Sequence, residues 1–412
     1  MHSPGLSTRG ITLRALIVVY ALALLSVHIG DHWHLVHEDN GAMQTSLALS
    51  HVRYGLGVTR GLNVFIDPRS GARDFYLHHP PAVPLLLAGA FIATGHDSPA
   101  VARGVMVALS IATLLLLMSV LSELFADERA VLAGALAMAT FPMESFFGRM
   151  VNYEVPALLL GLVQIDAYLR HRKTGSGASL VELAVAIVAG GLVEWASLLF
   201  SAAVAIAAFL DHFIEKRDLR ALFTTIVAGA AVTAFNVAHI VVVRGSLRGL
   251  TEVVTRDFGV GHDPLTCFGF VGSQLENFRG YFTMSGLIAT IVVVIALLWP
   301  RSRVAAALLT DGAGELRRFL LISLGAATAW VACSPNRARF HHYWQFYFLP
   351  FVVVAVALLI RWMLLRRHTF VIALIVLEVI ASSSYKLYRR HSRSDEWAIA
   401  NTRTIEEKFL SP

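Results

Sequence analysis

Residues 11–29 read ITLRALIVVYALALLSVHI, and the acidic stretch His37-Glu38-Asp39-Asn40-Gly41 follows within ten residues. The first segment is long enough to cross a bilayer as a helix. Adjacent carboxylates so close to its end are costly there unless they serve a purpose. No small-x-small cleavage site follows around His28, Gly30, Asp31 and His32, so the segment reads as a retained helix rather than a removed leader.

Composition extends that reading to the whole chain. The 412 residues are 56% hydrophobic and only 15% charged, against roughly 25% charged in soluble domains. Mean hydropathy is +0.64. The expectation is an all-α, polytopic membrane protein. The net charge of +6 does not indicate nucleic acid, because Lys and Arg gather in short loops between apolar runs, as topology signals do. Two cysteines, Cys267 and Cys333, support neither a disulfide framework nor a cysteine metal site.

The spanning runs are 11–29, 101–122, 130–147, 153–170, 180–193, 196–210, 221–243, 284–299, 317–333, 345–361 and 369–384, which makes about eleven helices. The run 81–95 (PAVPLLLAGAFIATG) is short and opens on Pro80-Pro81. The basic loops at 170–173, 211–220, 300–318 and 361–368 fall on one side only if 81–95 does not cross. It then reads as an interfacial helix, as does 41–55, whose Met43, Leu47, Leu49 and Val52 give it an apolar side. The amino terminus is expected inside. The loops 30–100 and 244–283 and the tail 385–412 are expected outside.

Four polar constellations share that outer side. Glu38-Asp39 reads as an acid–base pair or as a helix cap, since Asp39 precedes GAMQTSLALS. Tyr76-Leu77-His78-His79-Pro80-Pro81 places paired histidines at a helix start, as phosphate or metal ligands or as interfacial packing. Arg149 and Glu154 bracket a turn and could pair, and Glu154 also suits the first turn of a helix. Arg337, Arg339, His341, His342 and Tyr343 precede a long apolar run. Two arginines on the outer side run against the usual charge bias, and guanidinium forks suit phosphate oxygens. Glu194, between two apolar runs, is a weaker candidate.

Taken in order, these elements resemble the GT-C superfamily of polyprenyl-phosphate-dependent glycosyltransferases. The resemblance is to the family 39 type, which includes protein O-mannosyltransferases and the lipid A aminoarabinose transferase. His37-Glu38-Asp39-Asn40-Gly41 stands where that family has a short acidic motif in its first external loop. His79-Pro80-Pro81, Gly95 and Arg103 match its surface helix and the span after it; Glu154 matches its second acid. Arg339, His341, Tyr343, Tyr347 and Pro350 match its late Arg/His-aromatic-Pro element. The acids here read Glu-Asp rather than Asp-Glu, which leaves open which of them is the base. Glu194 stands where relatives often have a Thr-Lys-Gly element, so the phosphate role passes to the arginines and histidines.

The resemblance implies one GT-C domain over 1–384 with a short external tail, 385–412. It implies an inverting transferase that uses a lipid-phosphate sugar donor at the external face of a bacterial plasma membrane, with a glycan, lipid or protein acceptor. It points to Asp39 as base, with Glu38 or Glu154 orienting. Arg339, His341, His79, Arg149 and Tyr343 would then hold the donor phosphate. No cofactor is certain; a divalent metal at His78 and His79 is the possible one. The alternative is a transporter or flippase of lipid-linked sugars, in which His239 and Glu378 would be the mid-span ionisable groups.

Overall fold

The computed structural model describes residues 8–248, 250–251, 267–309, 313–333 and 335–409. Each of the eleven apolar runs is helical over most of its length. In chain order the helices are α1 (Thr8–Leu25), α2 (Asp39–Thr59), α3 (Ala82–Thr94), α4 (Pro99–Leu124), α5 (Glu128–Thr140) and α6 (Pro142–Phe147). They continue with α7 (Glu154–Thr174), α8 (Gly177–Val193), α9 (Trp195–Glu215), α10 (Arg220–Arg244), α11 (Cys267–Leu298) and α12 (Arg303–Leu308). The last are α13 (Ala313–Cys333), α14 (Pro335–Phe340), α15 (Leu349–Leu365), α16 (Thr369–His391) and α17 (Glu396–Phe409). A 3-10 segment, His342–Phe348, leads into α15. Among the described residues, eight helices are long and apolar enough to cross a membrane. The chain is a multi-pass membrane protein.

The run 130–147 breaks into α5 and α6 at Phe141, because Pro142 cannot donate to the preceding turn. The break in α11 at Thr283 (φ 64°) is where the sequence places the start of the apolar run. Its second half is capped by Glu378, which accepts from Thr283 Oγ1 at 3.1 Å and from the Met284 backbone N–H at 3.2 Å. Helix α15 is apolar on every side and is buried throughout Leu349–Ile360, so it forms the axis of the bundle. Gly134 lets α5 approach Val353 and Ala357 on that axis.

Between α2 and α3 lies a two-stranded hairpin, β1 (Val64–Ile66) with β2 (Arg73–Phe75), in antiparallel register Val64 to Phe75. Helix α3 is thirteen residues long and ends on Gly95 in the left-handed region (φ 71°). Helix α2 differs from expectation. Every residue from Gln44 to His51 is buried, so the helix is covered on more than one side and not laid flat on a single apolar stripe. The reason is the tail: α17 folds back onto α2 and supplies the second covering surface.

Candidate active site

The loop after α1 is drawn together by one carboxylate. Glu38 is 6% exposed. Its Oε2 accepts from the backbone N–H groups of His34 (3.1 Å) and Leu35 (3.0 Å). Its Oε1 accepts from Arg103 Nη2 at 3.0 Å and from Arg149 Nη2 at 3.4 Å. Arg103 also donates to the Ile29 and Asp31 carbonyls and lies over the Trp33 ring. Trp33 in turn packs so closely on Gly41 that any side chain there would collide with the indole. With both oxygens engaged, Glu38 is an organiser of the loop.

Asp39 is placed differently. His37 takes a left-handed backbone conformation (φ 63°), which costs energy in a non-glycine residue and turns the chain into α2. Asp39 Oδ2 accepts from Asn401 Nδ2 of α17 at 3.4 Å. Oδ1 is buried with no hydrogen-bond partner among the described residues. Burial pushes this carboxyl above its ordinary range; Asn401 and the backbone amides of Asp39 and Asn40 pull weakly the other way, and Asp395 adds repulsion. The cap reading is not met: the cap position falls on Glu38, without a side-chain cap hydrogen bond, and Asp39 is the first residue of α2. Of the two acids, Asp39 is the one with an unpartnered oxygen among the described residues.

A second group forms at the top of α7 and α9. His79 Nδ1 pairs with Glu194, and its ring stacks on Tyr153 with centroids 4.2 Å apart. Asn63 holds the His79 carbonyl at 3.0 Å, and Trp195 Nε1 holds the His78 carbonyl at 2.9 Å. Glu154 and Glu194 are 4% and 1% exposed and lie within electrostatic range of each other. Each keeps one oxygen, Oε2 and Oε1 respectively, without a partner among the described residues. Buried polar atoms are seldom left unmatched, so these two acceptors stand out among the described residues.

The late element closes the third side. Tyr343 Oη lies 2.7 Å from His341 Nδ1, and Tyr343 is within electrostatic range of Asp39 and Glu154. His37 packs against His342, Tyr343 and His341, with centroids 5.7, 5.0 and 6.4 Å away. Burial, His341, His342 and Arg390 hold the His37 imidazole down to about 3, so it is neutral at physiological pH. Arg337 Nη1 approaches His341 Nε2 at 3.4 Å. Arg339 is exposed, with its guanidinium over the Phe340 ring.

Asp39, Glu154, His79, His341 and Tyr343 thus meet at one end of the bundle, although they are far apart in sequence. Arg149 requires a correction: it pairs with Glu38, not with Glu154. Burial lowers its guanidinium to about 10, Glu38 opposing and Arg103 reinforcing. Its Nη1 remains buried without a partner among the described residues. Among the described residues no group of three His, Cys, Asp or Glu side chains could hold a metal ion. His78 and His79 have ring centroids 6.5 Å apart, and the Glu194 pairing occupies His79 Nδ1. Of the loop 244–283, Arg256, Asp257, His262 and Asp263 lie outside the described residues; Glu276 and Arg279 are on α11. Glu194, a weaker candidate in the sequence, gains His79 as its partner, and the short tail expected outside the domain contributes Asn401 to the surroundings of Asp39.

A membrane-embedded helical bundle with an enclosed acid and histidine centre at one end defines the class. At the level of sequence it stands apart: no protein-family model matches the chain, and no characterised relative matches it. The fold has solved counterparts. The oligosaccharyltransferase of Archaeoglobus fulgidus, tethered with an acceptor peptide, is similar with a TM-score of 0.60 at 14% identity, over 92% of this chain and 55% of its own. The same archaeal protein in complex with an inhibitory peptide and a dolichol-phosphate gives 0.56 at 13% identity, over 96% and 56%. The arabinosyltransferase EmbB of Mycobacterium smegmatis gives 0.52 at 14% identity, over 100% and 42%. The chain spans about half the length of the solved proteins it matches. Its fold is similar to the folds of these solved proteins.

Proposed function

We propose that this protein is an inverting glycosyltransferase that moves a sugar from a polyprenyl-phosphate donor to an acceptor hydroxyl at the outer face of a bacterial plasma membrane. One observation carries the reading: on a GT-C fold, Asp39 keeps a buried, unmatched oxygen, and Tyr343 lies within electrostatic range of both Asp39 and Glu154.

In this reading the acceptor oxygen attacks the anomeric carbon from one side. The bond from that carbon to the phosphate oxygen breaks on the other, and the electron pair leaves on the phosphate. The acceptor proton passes to Asp39 Oδ1, an arrangement that typically contributes about 10²–10⁴-fold. Glu154 and Glu194 accept hydrogen bonds from sugar hydroxyls, and Glu194 orients His79. Arg339, His341, Tyr343 and the free Nη1 of Arg149 supply positive charge and donors to the departing phosphate, often the larger part of catalysis. Glu38 holds the loop that carries Asp39. A divalent metal remains a proposal that chelator titration of the purified protein tests. Glu378, which an alternating-access transporter would use, is spent capping the break in α11.

The test is a transfer assay. Membranes containing the protein are given radiolabelled polyprenyl-phosphate-linked mannose, glucose or arabinose, and label is scored in lipid, polysaccharide and protein fractions. Protein-dependent transfer supports the reading. Donor translocation without transfer points to the flippase instead.

A further inference from the structure

The carboxyl-terminal helix is built into the site. Its start is tied down where the Asp395 backbone N–H donates to the His34 carbonyl at 2.8 Å. Its end is tied down where Phe409 stacks on Phe65 of β1, with centroids 4.6 Å apart. Between them, His32 Nε2 meets Glu406 at 3.0 Å. Ala398 and Thr402 are 0% and 2% exposed, and Ile405 packs on the main core. Positions 398, 401, 402, 405 and 409 recur at helical spacing, so one face is committed to α2 and the hairpin. Arg403, Thr404, Glu407 and Lys408 stand exposed on the other. A helix needing only to dispose of an apolar stripe would not place an amide in the middle of that stripe. Asn401 is there, partly buried, and its side-chain N–H₂ donates to Asp39 Oδ2.

We propose that Asn401 is a positioning residue for the Asp39 carboxylate: it holds Oδ2 and so leaves Oδ1 as the oxygen presented to the substrate. This rests on the reading of Asp39 as base. The chemistry is specific. A hydrogen bond donated to a carboxylate favours the charged form, and an aspartate has two equivalent oxygens until one is held. Loss of the bond frees the side chain to turn, and the base then titrates at higher pH. The groups facing Asp39 are Asp395 and Asn401 from α17 and its lead-in, Tyr343 from the 3-10 segment, and the neighbouring Asn40. None of these is a fixed cation, and Asn401 is the side chain that donates to Asp39 among the described residues, beside the backbone amides of Asp39 and Asn40.

The experiment compares wild type, Asn401→Ala, Asn401→Asp and the exposed-face control Arg403→Ala, with Asp39→Asn alongside. Rates are read from whichever of the three polyprenyl-phospho-sugars supports transfer. Asn401→Ala is expected to lower kcat about 10- to 100-fold with donor KM little changed. The acid limb of its pH profile should move up by roughly 0.5–1 unit. Asn401→Asp, nearly isosteric but without the donor and with a second charge, should move it further. Arg403→Ala should match wild type. The same shift is expected without substrate, in the pH dependence of carbodiimide labelling at Asp39 read by peptide mass spectrometry. If Asp39→Asn abolishes transfer while both Asn401 variants keep the wild-type rate and acid limb, this inference is overturned and the base reading stands. If Asp39→Asn turns over normally, the base reading itself fails. Should Asn401→Asp not accumulate, Asn401→Ala and Asn401→Ser still decide, since serine retains a donor and is expected to recover part of the shift.

Discussion

The two ends of the bundle hold similar sets of charges and use them in opposite ways. Around Asp211, at the end opposite Glu194 on α9, Tyr168 Oη donates at 2.6 Å, Arg172 Nε at 2.7 Å and Arg318 Nη2 at 2.6 Å. Glu215 and Glu315 pair with the same arginines. Only one buried oxygen there, on Glu315, has no partner among the described residues. At the other end Asp39, Glu154 and Glu194 each keep an unmatched oxygen, and Arg149 keeps an unmatched nitrogen. Charge content therefore does not tell the proposed catalytic end from the other one. Saturation does. A saturated network ties helices together; an unsaturated one bears a folding cost that a ligand relieves.

Glu38 and Asp39 repeat the contrast within two residues. Arg103→Ala would leave Glu38 buried with its nearer cation gone, and uncompensated buried charge typically costs about 3–5 kcal/mol. The variant should accumulate poorly or unfold early in a detergent melting experiment; near-normal melting would show that the loop does not depend on this pair. Arg318→Ala, at the saturated end, should cost on the order of 2 kcal/mol, since it removes charge-assisted hydrogen bonds to Asp211 and Glu215. Its acid limb in the transfer assay should not move, and a shifted limb would blur the division between the two ends. Arg339→Ala should lower transfer by about tenfold, more than Arg337→Ala, if the exposed guanidinium serves the phosphate rather than the lipid surface. Equal losses would mean that the pair only anchors the segment. Raised pKa at Asp39 also sets a sign for pH. Transfer should climb with pH through a limb lying above the ordinary carboxylate range of about 3.9, and a limb at or below that value would indicate an unperturbed acid.

Much of this was legible beforehand. The apolar runs located the helices because spanning segments must satisfy their backbones internally. The basic loops sorted their ends, and this brought Asp39, His79, Glu154 and His341 to one side. What was not legible depends on distant chain. Glu38 looked as catalytic as Asp39 because its partners Arg103 and Arg149 lie 65 and 111 residues away. Glu194 had no neighbouring charge in sequence; its partner His79 is 115 residues back. The tail read as a short appendage, since nothing local to Asn401 points to Asp39, 362 residues earlier.

The central claim is that Asp39 is kept unsatisfied for chemistry, and Asp39→Asn measures it most directly when rate and stability are read on one preparation. The Asp39 carboxyl is raised in the folded state, so it favours folding only below the ordinary carboxylate range, and that contribution is lost as pH rises through the raised value. The account predicts that Asp39→Asn loses about 10²–10⁴-fold in transfer, still binds donor, and melts higher than wild type at pH 8, with the difference closing toward pH 3. A variant that transfers at the wild-type rate, or that loses activity only because it melts lower at pH 8, would contradict it.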